Sequence, residues 1–123
     1  MIYRDIDAVD SLKPNSEWSW IGSEYSGLNW ISSDTKPTES EINAEITRLN
    51  NAEPMRLLRV ERDARLTACD WIITMHKELG TNIPAAWKTY RQSLRDLPAS
   101  ASPSLDSNGD LDLTSVTWPT EPS

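Results

Sequence analysis

Apolar positions change rhythm along this chain, and each rhythm predicts a different element. Trp18-Ser19-Trp20 and Leu28-Asn29-Trp30 alternate with a period of two, the mark of half-buried strands. Gly22-Ser23-Glu24-Tyr25-Ser26-Gly27 lies between them and supplies turn residues at hairpin spacing. A lone hairpin is marginal in water, so this one must dock on the helices or on a partner. Helical rhythm starts after Pro37, where Thr38 and Glu41 form a capping-box pair and Glu39 and Glu41 suit the positive end of a helix dipole. Ile42, Ile46 and Leu49 then make a narrow apolar stripe at i, i+4 and i+7. Pro54 either kinks one long helix or opens a second from about Met55 to Ala68, and a short break near Asn50-Asn51 is favoured.

Met55, Leu58 and Leu66 give the next segment a mostly apolar side, with Leu57, Val60 and Ala64 nearby. Arg56, Arg59, Arg62 and Arg65 occupy every third position, so their guanidiniums form a stripe rather than a ring. Glu61 and Asp63 lie between them. The stripe is either a solvated face with local ion pairs or a set of forks for a partner's carboxylates. Gly80-Thr81-Asn82-Ile83 breaks the middle, and Pro84 suits the first turn of a helix from Ala85 to about Leu97, ended by Leu97-Pro98. Trp87, Tyr90 and Leu94 share one face of it, and Lys88, Arg91 and Arg95 an adjacent one. Residues 99–104 have linker composition, and Asn108-Gly109, flanked by Leu105, Leu111 and Leu113, signals a type I′ hairpin.

Charge follows the same divisions. Residues 1–55 carry ten acids and four bases, residues 56–95 four acids and eight bases, and residues 96–123 five acids and no base. The acidic ends either fold back on the basic middle or leave it to face an acidic partner. A net charge of -7 argues against nucleic acid as the ligand. No apolar run is long enough to cross a membrane, and Met1 to Asp7 lacks the apolar core of a secretory leader. The six Trp and three Tyr, with no Phe, give every aromatic a polar handle, as interface residues have.

Catalytic chemistry finds no foothold. Nucleophile-elbow, phosphate-loop and dinucleotide motifs are missing, and no cofactor is implied. Cys69 and His76, each the sole residue of its type, exclude cysteine-based zinc sites and histidine cages, and Cys69 reads as a packed thiol. Asp106-Ser107-Asn108-Gly109-Asp110 matches the start of a calcium loop, but Leu111 stands where glycine is needed and Thr117 where a bidentate Glu belongs. No catalytic residue and no metal ligand is assigned.

The run Glu53-Pro54-Met55-Arg56-Leu57-Leu58-Arg59-Val60-Glu61-Arg62-Asp63-Ala64-Arg65-Leu66 leads into Cys69-Asp70-Trp71. It is followed by Ala85-Ala86-Trp87-Lys88-Thr89-Tyr90-Arg91-Gln92-Ser93-Leu94-Arg95-Asp96-Leu97-Pro98 and a closing Trp118-Pro119. This order resembles the phage tail fibre assembly chaperones, also called phage tail assembly chaperone proteins, over residues 36–98 and the Trp-Pro ending. Ile72 to Gly80 departs from the family pattern in looking more helical, and the first 35 residues lie outside it.

The resemblance implies a non-enzymatic assembly factor that binds the distal part of a tail fibre polypeptide and assists its folding and trimerisation. It would act in the host cytoplasm during assembly or stay on the finished fibre. The rival is a permanent virion component, an adaptor or tip cap, for which exposed Trp18, Trp20 and Trp30 would speak. As candidate partner-binding residues, Trp71, Trp87, Tyr90 and Leu94 would form an apolar surface or its support. Arg62, Arg65, Arg91 and Arg95 would donate directional hydrogen bonds. The bland alternative is that the aromatics pack the helices together. The expected fold is α+β: a mainly helical core of two to three helices over residues 37–98, a β-hairpin arm over 1–36, and a linker with an acidic arm over 99–123.

Overall fold

In a computed structural model, which describes residues 3–123, four α-helices accompany one two-stranded antiparallel sheet among the described residues. The fold is α+β with a helical core. Met1 and Ile2, the start of the segment that lacks the apolar core of a leader, lie outside the described residues. The chain divides into two compact units, one ending at Glu53 and one starting at Pro54.

The first unit opens with α1 (Asp5–Leu12), which the sequence reading did not anticipate. Three Asp and the β-branched Ile6 and Val9 in eight residues are weak helix formers. Packing supplies what propensity lacks: Ala8 and Val9 are fully buried with Leu28 and Ile42, and Leu12 packs against them. Asp5 and Asp7 sit in the first turn, where the Arg4 amide donates to Asp7 Oδ2 at 2.8 Å.

Strands β1 (Trp18–Trp20) and β2 (Leu28–Trp30) pair with Trp18 opposite Trp30 and Trp20 opposite Leu28. Gly27 is required there by close approach, since a Cβ would stand 1.8 Å from the Ile21 carbonyl oxygen. The three tryptophans are not the exposed set expected. Each is half-buried against the Ala8–Val9–Leu28–Ile42 cluster. Two of them also tie the polar tip of the indole down. Trp20 Nε1 donates to the Glu24 carbonyl at 3.1 Å and Trp30 Nε1 to the Asp34 carbonyl at 2.7 Å. The Tyr25 hydroxyl donates to the Pro37 carbonyl at 2.6 Å.

Helix α2 (Glu39–Ala68) begins at the capping box read from sequence. The Glu41 amide donates to Thr38 Oγ1 at 3.1 Å, and the Thr38 amide to Glu41 Oε1 at 3.0 Å. The break expected near Asn50-Asn51 is absent, and α2 is one helix with Pro54 inside it. Pro54 removes only the bond to the Asn50 carbonyl, and the helix formers after it, anchored by fully buried Leu58, carry the ladder on. The discontinuity sensed in the sequence instead marks the boundary between units.

The second unit holds the rest of α2, then α3 (Asp70–Leu79), α4 (Ala85–Ser100) and the C-terminal segment. Gly80, at φ 67°, closes α3 in the left-handed conformation of a helix C-cap. Pro84 precedes α4 as its N-cap, its carbonyl accepting from the amides of Trp87 and Lys88. Pro98 does not end α4, as had been expected. It forfeits only the bond to Leu94, and the helix runs to Ser100, where the Ala101 amide still donates to the Leu97 carbonyl at 3.0 Å.

Cys69, Ile72, Tyr90 and Leu94 form the core of this unit, flanked by Leu66, Trp87 and Trp118. The tail hairpin reduces to a single antiparallel bridge between Leu105 and Leu111. Its turn is not type I′, because Gly109 (φ 83°) is left-handed and Asn108 is not. Asp106 Oδ1 accepts from the amides of Asn108 and Asp110 instead, an Asx turn.

Candidate partner-binding site

The last two arginines of the α2 stripe, Arg62 and Arg65, meet α4 and the C-terminal segment. Arg62 pairs with Asp63 through Nε at 2.8 Å, and its Nη1 donates to the Arg95 carbonyl at 3.5 Å. Arg65 pairs with Glu61 at 3.0 Å, one turn back, and lays its guanidinium 4.1 Å from the centre of the Trp118 ring. Trp118 Nε1 donates to the Leu113 carbonyl at 3.1 Å, which fixes the ring that Arg65 covers. Val116 is buried beside it in sequence, so the C-terminal segment is part of the packed unit.

Arg91 has a different task. Its Nη1 donates to the Leu66 carbonyl and to Cys69 Sγ, both at 2.9 Å, and its Nη2 to Asp70 Oδ1 at 2.8 Å. The Leu66 carbonyl belongs to the last turn of α2 and also accepts from the Cys69 amide at 3.2 Å. One guanidinium thereby ties the end of α2 and the start of α3 to α4. Burial is the largest influence on its pKa and opposes the charge, but the bonds to Cys69 and Asp70 together outweigh it, and the pKa is raised.

The other candidates separate by depth. Leu94 is fully buried and Tyr90 nearly so. Trp87 flanks them, edge-to-face with Tyr90 at a ring separation of 5.8 Å. Burial first, and then the Glu121 carboxylate, push the Tyr90 hydroxyl up. Trp71, on α3, is 62% exposed. Arg95 is exposed and donates through Nε and Nη2 to Gln92 Oε1, at 3.2 and 2.9 Å.

Leu94, Tyr90, Trp87 and Arg91 thus come together in and around one core, with Arg62 and Arg65 at its border. Trp118 and Cys69 complete that cluster, yet neither was among the candidate residues. The Trp-Pro ending was the one sequence sign of Trp118, and nothing in the spacing announced the Cys69–Arg91 contact.

A family model described as phage tail assembly chaperone protein matches residues 55–123, more than half of the chain. The chain belongs to that family. No curated protein and no solved structure matches it. The match nearly coincides with the second compact unit: it takes in the C-terminal segment and leaves out residues 37–54, which the motif resemblance over 36–98 includes. Membership of the phage tail assembly chaperones gives a chaperone role in tail assembly and a phage tail protein as partner. None of the helices among the described residues is long and apolar enough to cross a membrane.

Proposed function

We propose that this chain is a non-enzymatic assembly factor that binds the distal part of a tail fibre polypeptide and assists its folding and trimerisation. The observation that carries this reading is the family match, confined to the unit where arginines and aromatics cluster. A trimeric β fibre pairs its strands slowly and non-locally, exposing apolar edges while it forms. The chaperone shields those edges with exposed Trp71 and with the border arginines Arg62, Arg65 and Arg95. Leu94, Tyr90, Trp87 and Arg91 hold that surface in shape from behind. Binding takes place in the host cytoplasm, during assembly, and needs no cofactor.

Co-expression with the fibre polypeptide, followed by size-exclusion chromatography with light scattering, tests the reading. A fibre that is soluble and trimeric only in the presence of this chain supports it. A fibre that trimerises equally well alone, with no co-elution, refutes it. Stoichiometric recovery of the chain from purified particles, with fibre trimerisation unaffected by its loss, would make it a virion component instead.

A further inference from the structure

A groove of about 560 Å³ lies along the second unit, between α3 and α4. Its apolar part comes from Ile73 and Ile83, both half-buried. Three cations, Lys88, Arg91 and Arg95, line it together with Thr89 and Gln92, and no carboxylate lines it. This is a conspicuous placement in a chain of net charge -7.

The three cations are not equivalent. Arg91 is committed to Leu66, Cys69 and Asp70, its charge paired with that carboxylate, and it offers no free fork. Lys88 and Arg95 are exposed, and among the described residues neither has a carboxylate partner. The acidic ends of the chain do not fill the gap: Arg62, Arg65 and Arg91 take their carboxylates from Asp63, Glu61 and Asp70, all within the basic middle segment.

We infer that this groove docks an extended, acidic segment of the tail polypeptide, in which an aliphatic side chain sits between two carboxylates on the same face. Lys88 and Arg95 are seven residues apart on α4, a rise of about 10 Å. In an extended chain, side chains alternate faces at about 3.3 Å per residue. Carboxylates four positions apart therefore lie on one face about 13 Å apart, within reach of two long, flexible cationic side chains. The residue midway between them falls on the same face, over Ile73 and Ile83. Like the proposed function, this inference takes the partner to be a tail polypeptide, and it adds which chemistry of that partner is recognised and where.

The test places a photo-crosslinking amino acid at Thr89 in the full-length chain, expressed in cells producing the phage, and maps the crosslinked peptide by mass spectrometry. The expected product is a tail-polypeptide segment with an acid–x–aliphatic–x–acid pattern. Its yield should fall roughly tenfold in Lys88→Glu and in Arg95→Glu, the scale of one lost charge-assisted contact. Lys88→Glu should fold, because a carboxylate in the first turn of α4 suits the helix dipole, and an unchanged melting temperature checks this. Lys77→Glu, on α3 and outside the groove lining, should leave the yield unchanged. Crosslinking only to a second copy of this chain, or to a neutral or basic segment, overturns the inference. So does a yield insensitive to both charge reversals, or no crosslink at all. If the tail polypeptide still co-purifies with the chain in those cases, the assembly role stands and only the groove assignment fails.

Discussion

The two units of this chain solve the same problem with different chemistry. In the first, carboxylates do the polar work. Asp7 caps α1, Glu41 caps α2, and Glu45, buried beside Ser11, accepts its hydroxyl at 3.0 Å and pairs with Arg48. In the second, guanidiniums join carboxylates such as Asp106 in that work: Arg91 reaches a helix-end carbonyl, a thiol and a carboxylate, and Arg65 covers Trp118. Glu41 and Glu45, both in the first unit, are held below the ordinary carboxylate range, so an acid response is expected there. The family segment nearly coincides with the guanidinium unit.

The sharpest way to break the comparison is to empty the core of the second unit. Leu94→Ala should cost about 2–5 kcal/mol by loss of transfer energy and formation of a cavity. Chemical denaturation followed at Trp118 checks it, and a loss below about 1 kcal/mol would mean that Leu94 does not anchor that core.

Arg91→Ala comes next. It removes the charge-assisted donor to the buried Cys69 Sγ, to the Leu66 carbonyl (which keeps the Cys69 amide) and to Asp70, at about 1–3 kcal/mol, and Arg91→Lys should recover only part, because one ammonium cannot fork across those acceptors. Full rescue by lysine in the same denaturation assay would reduce Arg91 to a simple charge.

Thr38→Ala should cost about 1 kcal/mol through the lost cap of α2. The same region carries the pH dependence. Glu41 is held below the ordinary carboxylate range by its bonds to Thr38, and Glu45 chiefly by its bond to Arg48. A depressed folded pKa means that the stabilisation is complete above the ordinary glutamate range and is lost as the pH falls through the depressed value. Acid titration monitored at the hairpin tryptophans should therefore show loss in the first unit, smaller in Thr38→Ala, while the Arg91 contacts to Leu66 and Cys69 persist.

The smallest effect is the Arg65–Trp118 coupling, expected at about 0.5–1 kcal/mol in a double-mutant cycle. A coupling near zero would leave Trp118 held by packing alone.

What the sequence revealed, and what it hid, follows from the range of the interactions. The hairpin strands, the Thr38–Glu41 box and the Gly80 break are set by residues a few positions apart, and each is read correctly from local pattern. The helix α1 is not local in this sense: Asp-rich and short, it exists because Ala8 and Val9 find Leu28 and Ile42. Pro54 and Pro98 misled for the complementary reason, since each costs a single helical bond that neighbouring packing can outweigh. At the candidate site, residue types were legible but depth was not. The face shared by Trp87, Tyr90 and Leu94 is visible in the spacing, yet only the tertiary structure shows that Leu94 is fully buried while Trp71 is exposed. The threefold engagement of Arg91 spans 21 to 25 positions of sequence, beyond any local pattern.

The most direct test of the central claim, that recognition belongs to the guanidinium unit, is amide hydrogen exchange on the full-length chain, free and bound to its tail polypeptide. Protection on binding should concentrate in α3 and α4, around Ile73, Ile83 and residues 88–95, with the hairpin at 18–30 unchanged. Protection centred on the hairpin, with α3 and α4 exchanging as in the free chain, would contradict it.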